Sequence, residues 1–162
     1  PAQTGLFLLV QPLVQAVFTP IMGRLSDKMP PRTLASTGIA LVALGLLLFV
    51  WLGTGTPLAV VLVGLVVLGL GFALFSSPNT NAIMGSVEKK FLGLASGTVA
   101  AVRVVGQMLS MGLVLVLMAA FLGTAPVSLS TTEPFLSAQS WSFALSAGLC
   151  ALGVAASLAR GK

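Results

Sequence analysis

The residue with the most chemical potential is Arg103, which stands alone as a cation inside a long apolar run from Leu92 to Leu122. It lies about ten positions past Gly93, or roughly 15 Å along a helix at about 1.5 Å per residue, which is near the midplane of a bilayer. A cation at that depth costs at least about 2.5–3.5 kcal/mol on insertion scales, so it needs an anion, a carbonyl or water beside it. Ser96, Gln107 and Ser110 share its helical face, at spacings of seven, four and seven residues. The candidates for substrate or coupling contacts on this helix are therefore Arg103, Gln107 and Ser110. A structural ion pair for Arg103 remains the alternative, yet none of the acidic residues, Asp27, Glu88 and Glu133, falls at that depth.

Two further polar groupings interrupt apolar segments. Gln11, Gln15 and Thr19 recur every fourth residue and form one stripe on a helix. Interhelical hydrogen bonding and the lining of a cavity both account for such a stripe. Pro12 and Pro20 in the same segment each remove a backbone donor and are expected to bend it. In Ser76-Ser77-Pro78-Asn79-Thr80-Asn81, amides and hydroxyls gather around a proline. Either Pro78 interrupts the helix and frees backbone groups for a ligand, or a helix ends there with polar capping. Asn79 and Asn81 join the candidates in both cases.

Several chemistries lack their residues. The chain has no His and a single Cys, Cys150, so metal, iron–sulfur and disulfide frameworks have no ligand set. Cys150 sits in an apolar helix and reads as a small hydrophobe. Nothing supplies a nucleophile with an adjacent base, so an enzyme is not expected, nor is any cofactor. The net charge of +5 is carried on short loops without an aromatic–basic motif, which argues against nucleic acid.

The elements that must position these residues are membrane helices. The chain has 162 residues, is 57% hydrophobic and only 7% charged, with a mean hydropathy of +1.09; soluble domains have about 25% charged residues. A spanning helix needs about 20 predominantly apolar residues. Five segments meet that need, at about 4–24, 33–52, 58–77 (with a possible extension to Gly85), 92–122 and 140–158. Gly53-Thr54-Gly55-Thr56-Pro57 separates the second from the third, and a polar, cation-free stretch from Gly123 to Gln139 precedes the fifth. The second and fifth segments carry few polar residues and read as peripheral. Small residues at Ala144 and Gly148, and at Ala147, Ala151 and Ala155, predict close packing by the fifth helix, as Gly93, Gly97 and Gly106 do for the fourth. The fold class is all-α, a polytopic membrane bundle of five helices.

Charge fixes the expected orientation. Arg24, Lys28 and Arg32 lie between spans one and two, Lys89 and Lys90 between three and four, and Arg160 and Lys162 at the C-terminus. The other two loops have no cation, so an outside N-terminus and a cytoplasmic C-terminus follow from the positive-inside rule. The first residue is Pro1 and no charge precedes Arg24, which fits a genuine span better than a signal peptide. The chain is expected to be a piece of a longer one, partnered by a missing N-terminal half as well as by lipid.

Gly23-x-Leu25-x-Asp27-Lys28-x-x-x-Arg32 resembles the basic loop motif of the major facilitator superfamily, in the weaker of its two copies, with Pro30 and Pro31 replacing a glycine and a cation. Together with Pro78-Asn79-Thr80-Asn81 and Gly93-x-x-x-Gly97-x-x-x-x-x-Arg103-x-x-Gly106, it looks like the drug:proton antiporter branch, particularly its fourteen-helix members. The resemblance spans the whole chain as the last five helices of a transporter. It implies proton-coupled efflux of small amphipathic compounds by alternating access, in a bacterial inner membrane. It also implies that helices one and four lie between the transporter halves, that helix three lines the cavity, and that helices two and five face lipid. Asp27, with Gly23, Leu25, Lys28 and Arg32, would form a gating loop, the carboxylate meeting the N-terminus of a helix in the other half. Two alternatives stay open: a facilitator-type uptake carrier for an anionic solute, with Arg103 binding it, and a membrane scaffold without transport.

Overall fold

The computed structural model describes residues 2–26, 28–123 and 132–159, with side chains described over 5–26, 28–30, 33–123 and 132–157. Its elements are α-helices: α1 (Ala2–Leu8), α2 (Val10–Ser26), α3 (Pro31–Val50), α4 (Leu58–Gly85), α5 (Leu92–Leu122) and α6 (Thr132–Ala159), with a single 3₁₀ turn at Lys89–Phe91. Among the described residues, five stretches are long and apolar enough to cross a membrane. Asp27, the stretch 124–131, Arg160 and Lys162 lie outside the described residues, and so does the side chain of Arg32.

Proline sets several of the boundaries. Segment one, expected as a single helix, divides at Leu9, where the Leu9 N–H turns back to the Leu6 carbonyl at 3.3 Å. Pro12 has no N–H for the carbonyl of Leu8, and its ring crowds that carbonyl, so the ladder breaks there. Pro20, by contrast, sits inside an unbroken α2. Pro30 and Pro31 open α3, where the first turn needs no N–H. The turn before α4 closes on itself: the Gly53 N–H donates to Thr56 Oγ1 at 2.8 Å. Helix α5 stops at Gly123, whose φ of +60° is open to glycine and strained for other residues.

Two expected breaks are absent. Helix α4 runs through Pro78 to Gly85, with Pro78 fully buried inside it. Neither an interruption nor a helix end occurs at this proline; packing on both sides outweighs the one lost hydrogen bond. The fifth span begins at Thr132 and not near Ser140, because Glu133 favours the positive end of a helix and Pro134 is tolerated in a first turn.

The helices pack in the order α2, α4, α3, α6, α5, and α5 touches α4 at few points. Segments two and five, expected at the periphery, each pack one face inward, while Leu44 and Leu47 of α3 and Trp141, Leu149 and Leu152 of α6 are exposed. Leu34, Ala35, Val42 and Phe49 of α3 are buried. Val42 and Phe49 form one cluster with Leu65 and Leu68 of α4, and Phe143 of α6 packs against it. The Phe49 and Phe143 rings tilt together at 5.4 Å. On α6 the packed seam runs through Ala138, Ser142 and Ala147, while Gly148, Ala151 and Ala155 are exposed. The small-residue spacing misjudged that face because serine fills the same role when its hydroxyl bonds within its own helix, as Ser142 Oγ does to the Ala138 carbonyl at 2.7 Å.

Helix α5 and helix α2 have no buried residue. Around Gly93, Gly97 and Gly106 there is nothing within 4 Å, so these glycines make no close helix contact here. The close approaches fall on α3 and α4, at Gly38, Gly45 and Gly71. The core therefore sits on one side of the assembly, and an open cleft on the other.

Candidate functional site

The cleft forms because α2 and α5 both flank α4 without closing over it. Two cavities lie along it. The first, of about 820 Å³, is walled by α4 and α5, from Phe75, Ser76, Asn79 and Ile83 across to Phe91, Leu94, Thr98, Val102 and Arg103. The second, of about 750 Å³, adds α2: Gln11 and Gln15 face Phe72, Phe75 and Ser76 of α4 and Arg103, Gln107, Ser110 and Met111 of α5. Phe75, Ser76 and Arg103 line both cavities, so the two adjoin at the arginine.

The structure thus brings Gln11, Gln15, Arg103, Gln107 and Ser110 around one cavity and Asn79 and Arg103 around the other. Helical phase explains the grouping on α5, where Arg103, Gln107 and Ser110 lie within two turns on one face. None of these six side chains has a hydrogen-bond partner or an ion pair among the described residues. Their polar atoms are open to the cleft, where water, a ligand or another segment can meet them. Among the described residues no carboxylate lines either cavity. The pair formed by Lys90 and Glu88, at 2.8 Å, lies in the connection between α4 and α5.

Other predicted residues are placed elsewhere. Asn81 lines neither of the two cavities; its Nδ2 donates to Ser26 Oγ at 3.1 Å, tying α4 to the end of α2. Ser26 Oγ in turn donates to the Gly23 carbonyl at 2.7 Å. Thr19 returns its hydroxyl to the Gln15 carbonyl at 2.6 Å, and Ser96 to the Gly93 carbonyl at 3.0 Å, so neither is offered to the cleft. In the basic loop, Gly23 and Leu25 belong to the last turns of α2, and the Leu25 carbonyl accepts from the N–H groups of Lys28 and Met29, each at 3.1 Å. A Cβ on Gly23 would lie 3.1 Å from Ser77 Oγ, so this glycine keeps α2 close to α4. The Lys28 side chain is exposed.

The aromatic lining was not anticipated. Phe72 and Phe75, with Thr98, have no unusual chemistry, and only position reveals them, whereas Ser76 belongs to the polar run around Pro78. Once α4 is continued through Pro78, Phe72, Ser76, Asn79 and Ile83 recur at four, three and four residues and share a face. That periodicity was the available signal.

Residues 1–161 match the family described as Major Facilitator Superfamily. The riboflavin transporter RibZ of Clostridioides difficile (strain 630) is 27% identical over 154 residues, which cover 95% of this chain and 34% of RibZ. The multidrug resistance protein Stp of Mycobacterium tuberculosis is 32% identical over 136 residues, 84% of this chain and 24% of Stp. The uncharacterized transporter YebQ of Escherichia coli (strain K12) is 32% identical over 105 residues, 65% of this chain and 23% of YebQ. The chain therefore spans about a third of one relative and about a quarter of the other two.

Proposed function

The chain belongs to the major facilitator superfamily, and from that premise we propose that it forms part of a secondary active transporter exporting small amphipathic compounds by alternating access. The observation that carries this reading is the cleft itself, with apolar and aromatic walls on one side of Arg103 and uncharged hydrogen-bonding groups on the other. Apolar walls with a few convergent polar groups are the usual make-up of a small-molecule site. A metal or redox group has no part in the proposal, since transport of this kind needs none.

Proton coupling and the drug:proton antiporter branch with fourteen helices belong to the same proposal. Stp, named for multidrug resistance, supports the direction of transport. The proton-carrying carboxylate is then assigned to an N-terminal half outside this chain, because no Asp or Glu among the described residues lines the two cavities. The proposed setting is the bacterial inner membrane, with the loops bearing Arg24, Lys28, Lys89 and Lys90 in the cytoplasm. The Gly23–Arg32 loop would act at the gate.

One observation favours a second reading. Arg103 has no carboxylate partner among the described residues, as an uptake carrier for an anionic solute would require. Inside-out vesicles holding the full-length protein distinguish the two. With the vesicle lumen made acidic, so that protons run outward, accumulation of an amphipathic dye supports proton-coupled export. Movement indifferent to the gradient points to a facilitator, and no movement at all removes the transport reading.

A further inference from the structure

We infer that the cleft is built for an amphipathic anion, its acidic head on Arg103 and its apolar body along the trough between α4 and α5. The inference rests on the transport reading and names the substrate class of the same site.

Arg103 is the one cation among the residues lining either cavity, and it stands where the two adjoin. Its planar guanidinium presents a fork of donors that matches a carboxylate, sulfonate or phosphate. On one side the trough runs from Arg103 back to Phe91, about 18 Å along the helix axis at about 1.5 Å per residue. Its walls there are largely side chains such as Phe75, Ile83, Leu94 and Val102. On the other side, Gln11, Gln15 and Gln107 donate and accept hydrogen bonds, which suits the uncharged polar atoms around an acidic head.

The mouth at Phe91 has the same sign preference. Lys90 Nζ lies 4.9 Å from the Phe91 ring centroid and pairs with Glu88, leaving Lys89 as a further positive charge. An approaching anion meets net attraction at the mouth and a cation at the base. A lipophilic cation would meet repulsion at both places, with no lining carboxylate among the described residues to offset it.

Decanesulfonate and decyltrimethylammonium test this, because they share a ten-carbon tail and differ in the sign of the head. Each is radiolabelled and bound to the full-length protein in nanodiscs, with binding to empty nanodiscs subtracted and no gradient applied. The sulfonate is expected to bind at least tenfold more tightly than the ammonium. Arg103→Gln should weaken the sulfonate at least tenfold, and Arg103→Lys, which keeps the charge but loses the fork, should weaken it less than Arg103→Gln does. Gln107→Glu, which sets a carboxylate one turn from the guanidinium while keeping Arg103, should also weaken the sulfonate at least tenfold. Equal affinity for the two probes, or a sulfonate preference that survives both Arg103→Gln and Gln107→Glu, would overturn the inference. Equal affinity would mean that a carboxylate from elsewhere in the transporter holds Arg103, and a surviving preference that another cation binds the head. The transport reading falls separately: gradient-driven flux without the preference sinks only the anion, and the preference without flux sinks only transport.

Discussion

Gly38 and Gly71 meet backbone to backbone where α3 crosses α4. A Cβ on Gly38 would lie 2.9 Å from the Gly71 carbonyl oxygen and 2.6 Å from the Phe75 nitrogen, and one on Gly71 would lie 3.0 Å from the Gly38 carbonyl oxygen. The contact takes in the Phe75 nitrogen and so fixes the helix that carries Phe72, Phe75, Ser76 and Asn79 beside the cleft. Packed by α3 and by α2, α4 meets α5 at few points, and the cleft between them stays open.

Because the atoms facing Gly38 are backbone, no side chain can yield to a methyl group there. Gly38→Ala should therefore lower stability by about 1–3 kcal/mol, the usual range for overpacking. Gly148→Ala is the control, since nothing lies within 4 Å of that position. It should be neutral or gain up to about 1 kcal/mol from helix propensity. Unfolding in mild detergent titrated with dodecyl sulfate measures both. Equal losses for the two variants would mean that the α3–α4 crossing is looser than described.

Ser140 of α6 donates to the Val50 carbonyl at 2.8 Å, satisfying one of the carbonyls left free at the end of α3. Ser140→Ala removes the donor and keeps the size. Intramembrane hydrogen bonds average about 0.6 kcal/mol, so the same titration should show a loss of that order, smaller than for Gly38→Ala. A loss above about 2 kcal/mol would place the bond in a drier, less replaceable setting.

These contrasts show what could be read without coordinates. The five spans follow from long apolar runs divided by Gly, Pro and charge, and Leu92–Leu122 is bounded as expected because a charged turn precedes it and a glycine follows. Arg103 with Gln107 and Ser110 was legible because a polar stripe in an apolar helix has few explanations. Pro78 was not, since whether a proline breaks a helix depends on the packing around it, which a local pattern lacks. Nor was the packed face of α6: Ala147 and Ala151 look alike as residues, and the partner helix decides which is buried. Phe75 at the junction of the cavities is an ordinary apolar residue until α5 stands opposite it.

The cleft should hold water. In a Cys150→Ala background of the full-length protein, cysteines at Gln11 and Gln107 should react with a charged, membrane-impermeant thiosulfonate reagent applied from the side to which the cleft opens. Cysteines at Ala73 and Ala138, whose residues have no exposed surface, should not react. A thiol in lipid or in packed protein stays protonated and inert, so reactivity marks an aqueous path. Silence at both glutamine positions, from either side and in the presence and absence of a proton gradient, would show that another segment fills this cleft.

The last prediction separates function from folding at Arg103. The side chain is exposed in the cleft and has no ion pair or hydrogen bond among the described residues, so its removal breaks no described contact. Arg103→Ala in the full-length transporter should leave its abundance in the membrane near that of the wild type and abolish transport. The asymmetry arises because the insertion cost of a mid-membrane cation is paid in every state of the transporter, while its benefit appears only when an anion or a moving segment meets it. Transport at wild-type rates with equal abundance would remove Arg103 from the mechanism. Loss of the protein from the membrane would instead assign it to an ion pair that holds the transporter together, and a charge-swapped partner carboxylate should then restore abundance.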